Sequence, residues 1–301
     1  MQFIDLHAQR ARIEQDVNDA IQTVLKHGMY VMGPEVRAFE AQLAAFSNAK
    51  YALGCANGTE ALALPLMAWG LKPGDAVFCP SFTFCATAEI VPWLGAVPVF
   101  VDILPDTFNM DPDHLEASIQ AVKAEGRLMP KVIIAVDLFG QSADYPRIRE
   151  IADRHGLKLI ADSAQGYGTT LNGQHPAEFA DVATTSFFPA KPLGCYGDGG
   201  AVVSNDETLI ELMDSIRVHG KVTASDLKGA SFEHDPKYFN IENWELPAGI
   251  QNKLHLHART LILEHPVTKK ELHLTAELPT HMGKTWKTFQ WNPAEVPEDP
   301  F

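Results

Sequence analysis

Short, nearly continuous apolar runs alternate with helical segments along most of this chain. Unbroken apolar runs of this kind are typical of strands that are buried on both faces of a sheet. The predicted strands are 51–55, 77–79, 97–101, 132–136 and 157–161, and the predicted helices lie near 86–94, 112–124 and 146–155. This βαβα order predicts an α/β fold, a three-layer sandwich in which helices cover a mostly parallel sheet.

The pattern changes near residue 248. Beyond this point, four leucines alternate with other residues on the two sides of a short connection, which predicts a β-hairpin. These leucines are Leu261, Leu263, Leu272 and Leu274. The acidic excess of the chain lies before the change, whereas residues 249–301 carry equal numbers of acidic and basic side chains. The sequence therefore predicts a body and a separate tail that contains a hairpin.

The composition excludes some classes of function. A formal net charge of −14 opposes nonspecific binding to nucleic acid or to an anionic membrane surface. A local anion site built from backbone N–H groups is still compatible with it. The four cysteines form no CxxC pair and show no zinc-ligand spacing. They are expected to be free thiols in a reducing cytoplasm.

One lysine lies in an unusual sequence context. Lys191 ends the mostly apolar run 186–191 and precedes a glycine-rich bend that contains Gly194, Gly197 and Gly200. An amine that is desolvated in such a place has a lowered pKa and becomes a nucleophile toward carbonyl groups. The alternative is a solvated lysine beside a flexible turn, which is the common situation for lysine.

The residues after the other strands are also candidates, because ligands of parallel sheets bind beyond the carboxyl ends of the strands. Gly58 and Thr59 follow strand 51–55 in a small turn that opens a helix, where free N–H groups and the helix dipole suit a phosphate. The alternative is ordinary N-capping by Asn57 or Thr59. Phe84, after the next strand, would stack on a planar ligand or pack in the core.

A carboxylate and a hydroxyl complete the set. Asp162 directly follows run 157–161, where a charge is costly unless a partner such as a pyridinium N–H pairs with it; helix capping is the alternative. Ser186 precedes Lys191 by five residues and carries a hydroxyl that could join Thr59 on a phosphate. Together, these residues offer a phosphate site, an aromatic ring, a carboxylate, a hydroxyl and a lysine. This set matches what pyridoxal 5′-phosphate requires.

With these groups in this order, residues 1 to about 240 resemble the DegT/StrS-type sugar aminotransferases, which are fold-type-I pyridoxal-phosphate enzymes. The resemblance is carried by a series of runs rather than by a single motif. The runs are GPEVRAFEAQLAAF (33–46), ANGTEAL (56–62), PSFTFCATAEIV (80–91), GAVPVFVDI (95–103), DLFGQSAD (137–144), ADSAQGYG (161–168), TSFFPAKPLGCYGDGGAVVSND (185–206) and RVHGK (217–221).

The resemblance implies a role for each candidate residue. Lys191 would bond covalently to the cofactor, and Asp162 would keep the pyridine nitrogen protonated. Phe84 would stack on the ring, and Gln165 would lie near the ring hydroxyl. The residues that would bind the phosphate are Gly58, Thr59 and Ser186.

The resemblance also implies the reaction. A minor branch of the family has histidine in place of the lysine and dehydrates sugars, so Lys191 implies the aminotransferase branch. An amino acid such as glutamate would leave its nitrogen on the cofactor, and a keto-sugar nucleotide would then accept it, with Lys191 as general acid and base. The family further implies a homodimer.

The resemblance fades near residue 240, where the family continues into a segment that reaches the partner subunit and then into a small C-terminal domain. The predicted domains are an aminotransferase large domain, 1–240, and a divergent tail, 241–301, in which that small domain is missing. The tail is similar to the C-terminal end of RluA-like ribosomal RNA pseudouridine synthases over LHARTLILEHPVTKKELHLTAELPTHMGKTW (256–286). It has no HRLD-type catalytic motif, so no uridine chemistry is implied.

Three functional hypotheses follow from this organisation. The first is a working sugar aminotransferase. The second is an inert remnant or chimera, in which a truncated aminotransferase that still binds the cofactor is joined to a pseudouridine-synthase end. The third is an RNA-associated module led by the tail, which the acidic body opposes. His255 and His257 of the tail would share one face of a strand, either as metal ligands or as an exposed pair without a third ligand.

Overall fold

The structure, a computed structural model, describes residues 4–220, 260–264 and 271–275. The chain divides into two compact units, Met1–Arg217 and Val218–Phe301. The body and the tail hairpin are therefore described separately. Across the described ranges, no helix combines the length and the apolar character that a membrane crossing requires.

From residue 51 to residue 162, strands and helices alternate in the predicted order, whereas the strands Val182–Ser186 and Gly200–Ser204 were not predicted. The helices are α1 Leu6–Ala11, α2 Glu14–His27, α3 Pro34–Phe46, α4 Gly58–Ala68, α5 Ala86–Trp93, α6 Pro112–Glu125, α7 Tyr145–His155 and α8 Glu207–Arg217. The strands are β1 Tyr51–Cys55, β2 Asp75–Pro80, β3 Val97–Val101, β4 Met129–Val136, β5 Lys158–Asp162, β6 Val182–Ser186 and β7 Gly200–Ser204. Short 3₁₀ helices cover Leu138–Gly140 and Pro176–Glu178.

These strands form one seven-stranded sheet in the order β1-β7-β6-β5-β4-β2-β3. Neighbouring strands run parallel, except that β7 is antiparallel to both β1 and β6. In the register of the two central strands, Val136 lies opposite Asp162. The predicted α/β fold with a mostly parallel sheet is therefore confirmed.

Alternate side chains of the central strands pack against helices on opposite faces of the sheet. Phe78, Ile133 and Leu159 belong to one apolar cluster together with side chains of α6 and α7. Val77 and Ile160, from the same strands β2 and β5, belong to a second cluster with side chains of α4 and α5. All five side chains are fully buried, and burial of a side chain of this kind contributes about 1.5–3 kcal/mol. The architecture is the predicted three-layer sandwich.

Local sequence signals set the helix ends. Asn57 precedes α4, and its side chain accepts a hydrogen bond from the Glu60 N–H at 2.8 Å. Gly126 and Gly156 follow α6 and α7 in left-handed conformations, with φ of 68° and 67°. Glycine adopts these angles without the clash that a Cβ would cause. The start of α4 and the ends of α6 and α7 are thus determined by local capping residues.

The tail contains the predicted hairpin. Strand β8, Thr260–Glu264, pairs antiparallel with β9, Glu271–Thr275, and the register places the four predicted leucines opposite one another. The predicted boundary near residue 240 and the pair His255 and His257 lie outside the described residues.

Candidate active site

A cavity of about 460 Å³ opens at the edge of the sheet where β5 and β6 end. Its walls come from the start of α4 and of α5 and from the loops that follow the strands. The residues that line it are Asn57, Gly58, Thr59, Leu62, Phe84, Ala86, Asp162, Ala164, Gln165, Ser186, Phe188, Lys191 and Asp198. Every residue that the sequence predicted for the site is among them, so the structure brings the whole predicted set together.

The start of α4 forms one polar end of the cavity. Asn57 caps the helix with its side chain, but capping leaves other N–H groups of the first turn without intrahelical partners. A Cβ on Gly58 would lie 2.6 Å from the Ser186 Cβ, and a Cβ on Gly200 would lie 2.4 Å from the Asn57 carbonyl oxygen. Only glycine permits this approach of the start of α4 to the last residue of β6 and the first residue of β7. The start of α4, with Gly58 at its first position, is called the glycine cradle. Its N–H groups and its helix dipole suit an anion.

Asp162 supplies a buried carboxylate. It is the last residue of β5, rather than the first residue after the strand, and is 5% exposed. The Thr87 hydroxyl donates to its Oδ2 at 2.9 Å, and the Ala164 N–H donates to its Oδ1 at 3.2 Å. Burial raises the pKa of Asp162, while the bonds from Thr87 and Ala164 and the charge of Lys191 act in the opposite direction. A cationic partner in the cavity would favour the carboxylate form.

The segment after Asp162 excludes one of the two alternatives for this residue, helix capping. A turn follows β5, and the next helical segment is the short 3₁₀ helix Pro176–Glu178. Asp162 therefore caps no helix, and the capping alternative is wrong.

Lys191 and Phe84 lie together in the cavity. The Lys191 Nζ is 5.9 Å from the centroid of the Phe84 ring, close enough for a cation–π attraction. Lys191 is half-buried, whereas Phe84 is 62% exposed, so Phe84 does not pack in the core. The Lys191 N–H donates to the Phe188 carbonyl at 2.8 Å, which holds the predicted bend in place.

Gln165 and Ser186 are each oriented by one backbone N–H group. The Phe139 N–H donates to the Gln165 Oε1 at 3.1 Å, and the Phe188 N–H donates to the Ser186 Oγ at 3.2 Å. Both side chains also carry donors: two N–H groups on the amide and one O–H on the serine. These donors are what Gln165 and Ser186 can offer to a ligand in the cavity.

A second buried carboxylate lies next to Asp162. Asp137 follows β4, is fully buried, and donates its N–H to the Asp162 carbonyl at 3.0 Å. Its carboxylate accepts from the Ser163 hydroxyl at 2.5 Å and from the Ala143 N–H at 3.2 Å. Burial, and to a smaller extent the charge of Asp162, raises the pKa of Asp137 to about 7, against the opposing effect of the Ser163 hydrogen bond.

This raised pKa predicts a pH-dependent stability. The folded protein favours neutral Asp137, so its stabilising contribution is complete below pH 3.8 and is lost as the pH rises through about 7. The full loss corresponds to about 4 kcal/mol, since each pKa unit is worth 1.36 kcal/mol. Urea unfolding between pH 4 and pH 8 should show this decline, and Asp137→Asn should remove most of it. Ser163→Ala should move the decline to higher pH, and an unchanged slope in Asp137→Asn would contradict the assignment.

Sequence reasoning missed Asp137 and Thr87 as parts of the site. Asp137 had a usable signal, because it directly follows the apolar run 132–136 as Asp162 follows its own run. Thr87 had none. It lies within α5, and only the packing of that helix places its hydroxyl beside Asp162.

The groups in the cavity suit one kind of ligand. The glycine cradle suits an anion, the exposed Phe84 ring suits a planar ring, the buried Asp162 suits a basic ring nitrogen, and the Lys191 amine suits a carbonyl carbon. Pyridoxal 5′-phosphate has all four groups. The residues present therefore fit the cofactor that the sequence predicts.

Comparison with known proteins agrees with this geometry. The DegT/DnrJ/EryC1/StrS aminotransferase family matches residues 11–245. The UDP-2-acetamido-2-deoxy-3-oxo-D-glucuronate aminotransferase of Pseudomonas aeruginosa is 49% identical over 221 residues, which are 73% of this chain and 60% of that protein.

Solved structures share the fold. A DegT DnrJ EryC1 StrS aminotransferase from Brucella abortus has a TM-score of 0.72 at 54% identity, covering 73% of this chain and 59% of its own. A Bacillus subtilis protein solved with bound cofactor PMP has a TM-score of 0.66 at 34% identity. The match covers 73% of this chain and 48% of that chain. The chain thus spans 60% or less of the length of these relatives. With residues 11–245 matched and the fold shared, the chain belongs to the DegT/DnrJ/EryC1/StrS aminotransferase family.

Proposed function

We propose that this chain binds pyridoxal 5′-phosphate and transfers an amino group from an amino acid such as glutamate to a keto-sugar nucleotide. The observation that carries the proposal is that Lys191, Asp162 and the glycine cradle line one cavity. The Pseudomonas aeruginosa relative is named as the aminotransferase of a UDP-linked 3-oxo sugar acid. Neither an inert remnant nor an RNA-associated module gains support from the residues that the structure describes.

In this proposal the cavity residues hold the cofactor at separate points. Asp162 would hold the ring nitrogen, Phe84 would cover the ring and Gln165 would contact the ring hydroxyl. The residues that would hold the phosphate are Gly58, Thr59 and Ser186. When bound, the cofactor supplies an electron sink for amino-group transfer.

Lys191 has two tasks. Its amine would hold the cofactor covalently, and once released it would take a proton from the reacting carbon of the substrate as a general base and deliver it to the cofactor as a general acid. Its position beside the Phe84 ring, at 5.9 Å, keeps the amine within the cavity. Such a positioned group typically contributes about 100- to 10,000-fold to a rate.

Asp162 has an electrostatic task. Its negative charge would hold a proton on the ring nitrogen, and the bonds from Thr87 and Ala164 fix the direction of its two oxygens. Because the carboxylate is buried, its charge is poorly screened by water and acts strongly at short range.

We infer that the protein works as a homodimer in the cytoplasm. The family implies a dimer in which a segment of the partner subunit reaches the cofactor phosphate. The four cysteines are free thiols, as expected in a reducing compartment. The charge of −14 opposes nucleic acid and anionic lipid, so the proposed partners are a nucleotide sugar and an amino donor.

We further propose that residues 241–301 are a divergent tail, similar to a pseudouridine-synthase end and joined to the large domain 1–240 as a chimera. The family match that stops at residue 245 and the change of pattern near residue 248 support this division. Sequencing the genomic locus tests it, since an uninterrupted aminotransferase reading frame would contradict a chimera.

Visible absorbance tests the proposed function. Purified protein mixed with pyridoxal phosphate should develop a visible band that bleaches on addition of glutamate, with 2-oxoglutarate appearing in equal amount. A band that glutamate leaves unchanged would indicate an inert remnant. The absence of any band would show that the cavity does not bind the cofactor.

A further inference from the structure

Three exposed phenylalanines form a cluster that the proposed chemistry does not use. Phe82, Phe108 and Phe139 are 48%, 44% and 72% exposed. Their ring centroids lie 5.9, 6.3 and 6.5 Å apart with tilted or edge-to-face geometry, which is the favoured arrangement for aromatic pairs. These three residues are called the aromatic platform. An exposed apolar surface of this kind commonly marks a binding site.

The aromatic platform adjoins the cavity. Its members come from the segments after β2, β3 and β4, at the carboxyl edge of the sheet, where ligands of such sheets bind. The Phe139 N–H donates to the side chain of Gln165, which lines the cavity. Phe82 is separated by one residue from Phe84, which also lines it. A ligand that is bound in the cavity and extends beyond it on this side would contact the three rings.

Two members of the aromatic platform are held in strained conformations. Phe108 and Phe139 have φ of 59° and 56°, a left-handed region that bulky residues rarely adopt. Strain of this kind persists only where the surrounding structure fixes it, and it concentrates at functional sites. The exposure of both rings gives no packing gain that would account for the strain.

A buried asparagine fixes both strained loops. Asn109 is 4% exposed, and its Nδ2 donates to the Gln141 and Ser142 carbonyls at 3.0 and 3.1 Å. Its Oδ1 accepts from the Leu138 N–H at 3.2 Å. The side chain next to Phe108 is thus bonded to the residues on both sides of Phe139. These hydrogen bonds join the two loops and fix the positions of the rings.

We propose that the aromatic platform binds the pyrimidine base of the nucleotide-sugar substrate by stacking. This inference rests on the proposed function. In the proposed function the cofactor fills the cavity, so the nucleotide half of the substrate needs a surface beside it. The Pseudomonas aeruginosa relative acts on a UDP-linked sugar by its name, and a uracil ring presents the flat face that aromatic side chains bind.

Calorimetric titration of the cofactor-loaded protein with UDP tests the aromatic platform. The bound cofactor fills the glycine cradle, so UDP cannot bind there. Phe139→Ala and Phe82→Ala should each weaken UDP binding by about 10-fold or more, since loss of one base–aromatic stack has this effect. Phe139→Trp should retain the affinity. Because the Phe139 N–H is unchanged in these variants, the bond to Gln165 is preserved.

Two controls separate stacking from other effects. Phe100→Ala removes a 56% exposed ring from the edge strand β3, outside the aromatic platform, and should leave UDP affinity unchanged. Inorganic pyrophosphate, which lacks the base, should bind wild type and Phe139→Ala equally.

The following outcomes would overturn the inference. Wild-type protein that does not bind UDP, or platform variants that bind it with unchanged affinity, would exclude a base site. A platform variant that changes the sedimentation coefficient while UDP affinity is unchanged would assign the rings to an interface between copies of this chain. Failure of the proposed function is distinguishable, because bleaching by glutamate involves no nucleotide and is measured on wild type.

Discussion

Alanine in place of Lys191 is expected to abolish covalent attachment of the cofactor and to slow glutamate-dependent bleaching by about 100- to 10,000-fold, the usual contribution of a positioned general acid–base group. No second amine lines the cavity among the described residues, so no neighbouring group replaces the lost one. Reduction with borohydride followed by mass spectrometry gives the readout. Wild type should gain the mass of one cofactor on the peptide that contains Lys191, and the variant should gain none.

A matched lysine provides the control for this prediction. The Lys158 Nζ lies 5.7 Å from the Trp69 ring, almost the same cation–aromatic arrangement as Lys191 over Phe84, but outside the cavity. Lys158→Ala should therefore keep the covalent adduct and the bleaching rate. If Lys191→Ala still carried a borohydride-stable adduct at the wild-type level, another residue would be the attachment point and the assignment would be wrong.

The layout of the sheet and the position of the site could be predicted because both depend on short-range pattern. Strands buried on both faces contain apolar runs, such as 77–79 in β2 and 132–136 in β4, so the presence of these strands is visible in the sequence. Their first residues are not, because β2 begins with Asp75 and β4 includes Lys131 near its start. The carboxyl ends of parallel strands meet at one edge of the sheet. Asp162, at the end of such a run, was therefore expected at this edge, and the structure places it in one cavity with Ser186 and Lys191.

The remaining features depend on packing that leaves no pattern in the sequence. The Thr87 hydroxyl reaches Asp162 only because the packing of α5 places it next to the last residue of β5. The left-handed conformations of Phe108 and Phe139 run against the preference of a bulky residue, so local propensity predicts the opposite. They are stabilised by Asn109, whose bonds to a distant loop have no periodic signal. Tertiary contacts, and not local pattern, determine these parts of the site.

Asparagine in place of Asp162 is expected to slow glutamate-dependent bleaching by about 100-fold or more while leaving the covalent adduct on Lys191. Removing one partner of a buried charge pair costs about 3–5 kcal/mol, and each 1.36 kcal/mol is a tenfold change in rate. The asparagine oxygen can still accept from the Ala164 N–H, and its NH₂ group can donate to the Thr87 hydroxyl, which also accepts hydrogen bonds. The side chain therefore keeps two partners while its charge is lost. Stopped-flow absorbance measures the rate, and mass spectrometry measures the adduct.

The raised pKa of Asp162 separates this effect from a loss of stability. Burial favours the neutral carboxyl in the cofactor-free protein, so ionisation at pH 8 opposes folding, and Asp162→Asn should not lower the free energy of unfolding there. Asp75→Asn is the matched control, since Asp75 is 3% exposed but lies at the start of β2, at the opposite edge of the sheet. It should leave the bleaching rate unchanged. A slow Asp162→Asn variant that is as stable as wild type would place the effect of this carboxylate in the reaction, whereas equal loss of rate and stability would make it a folding residue.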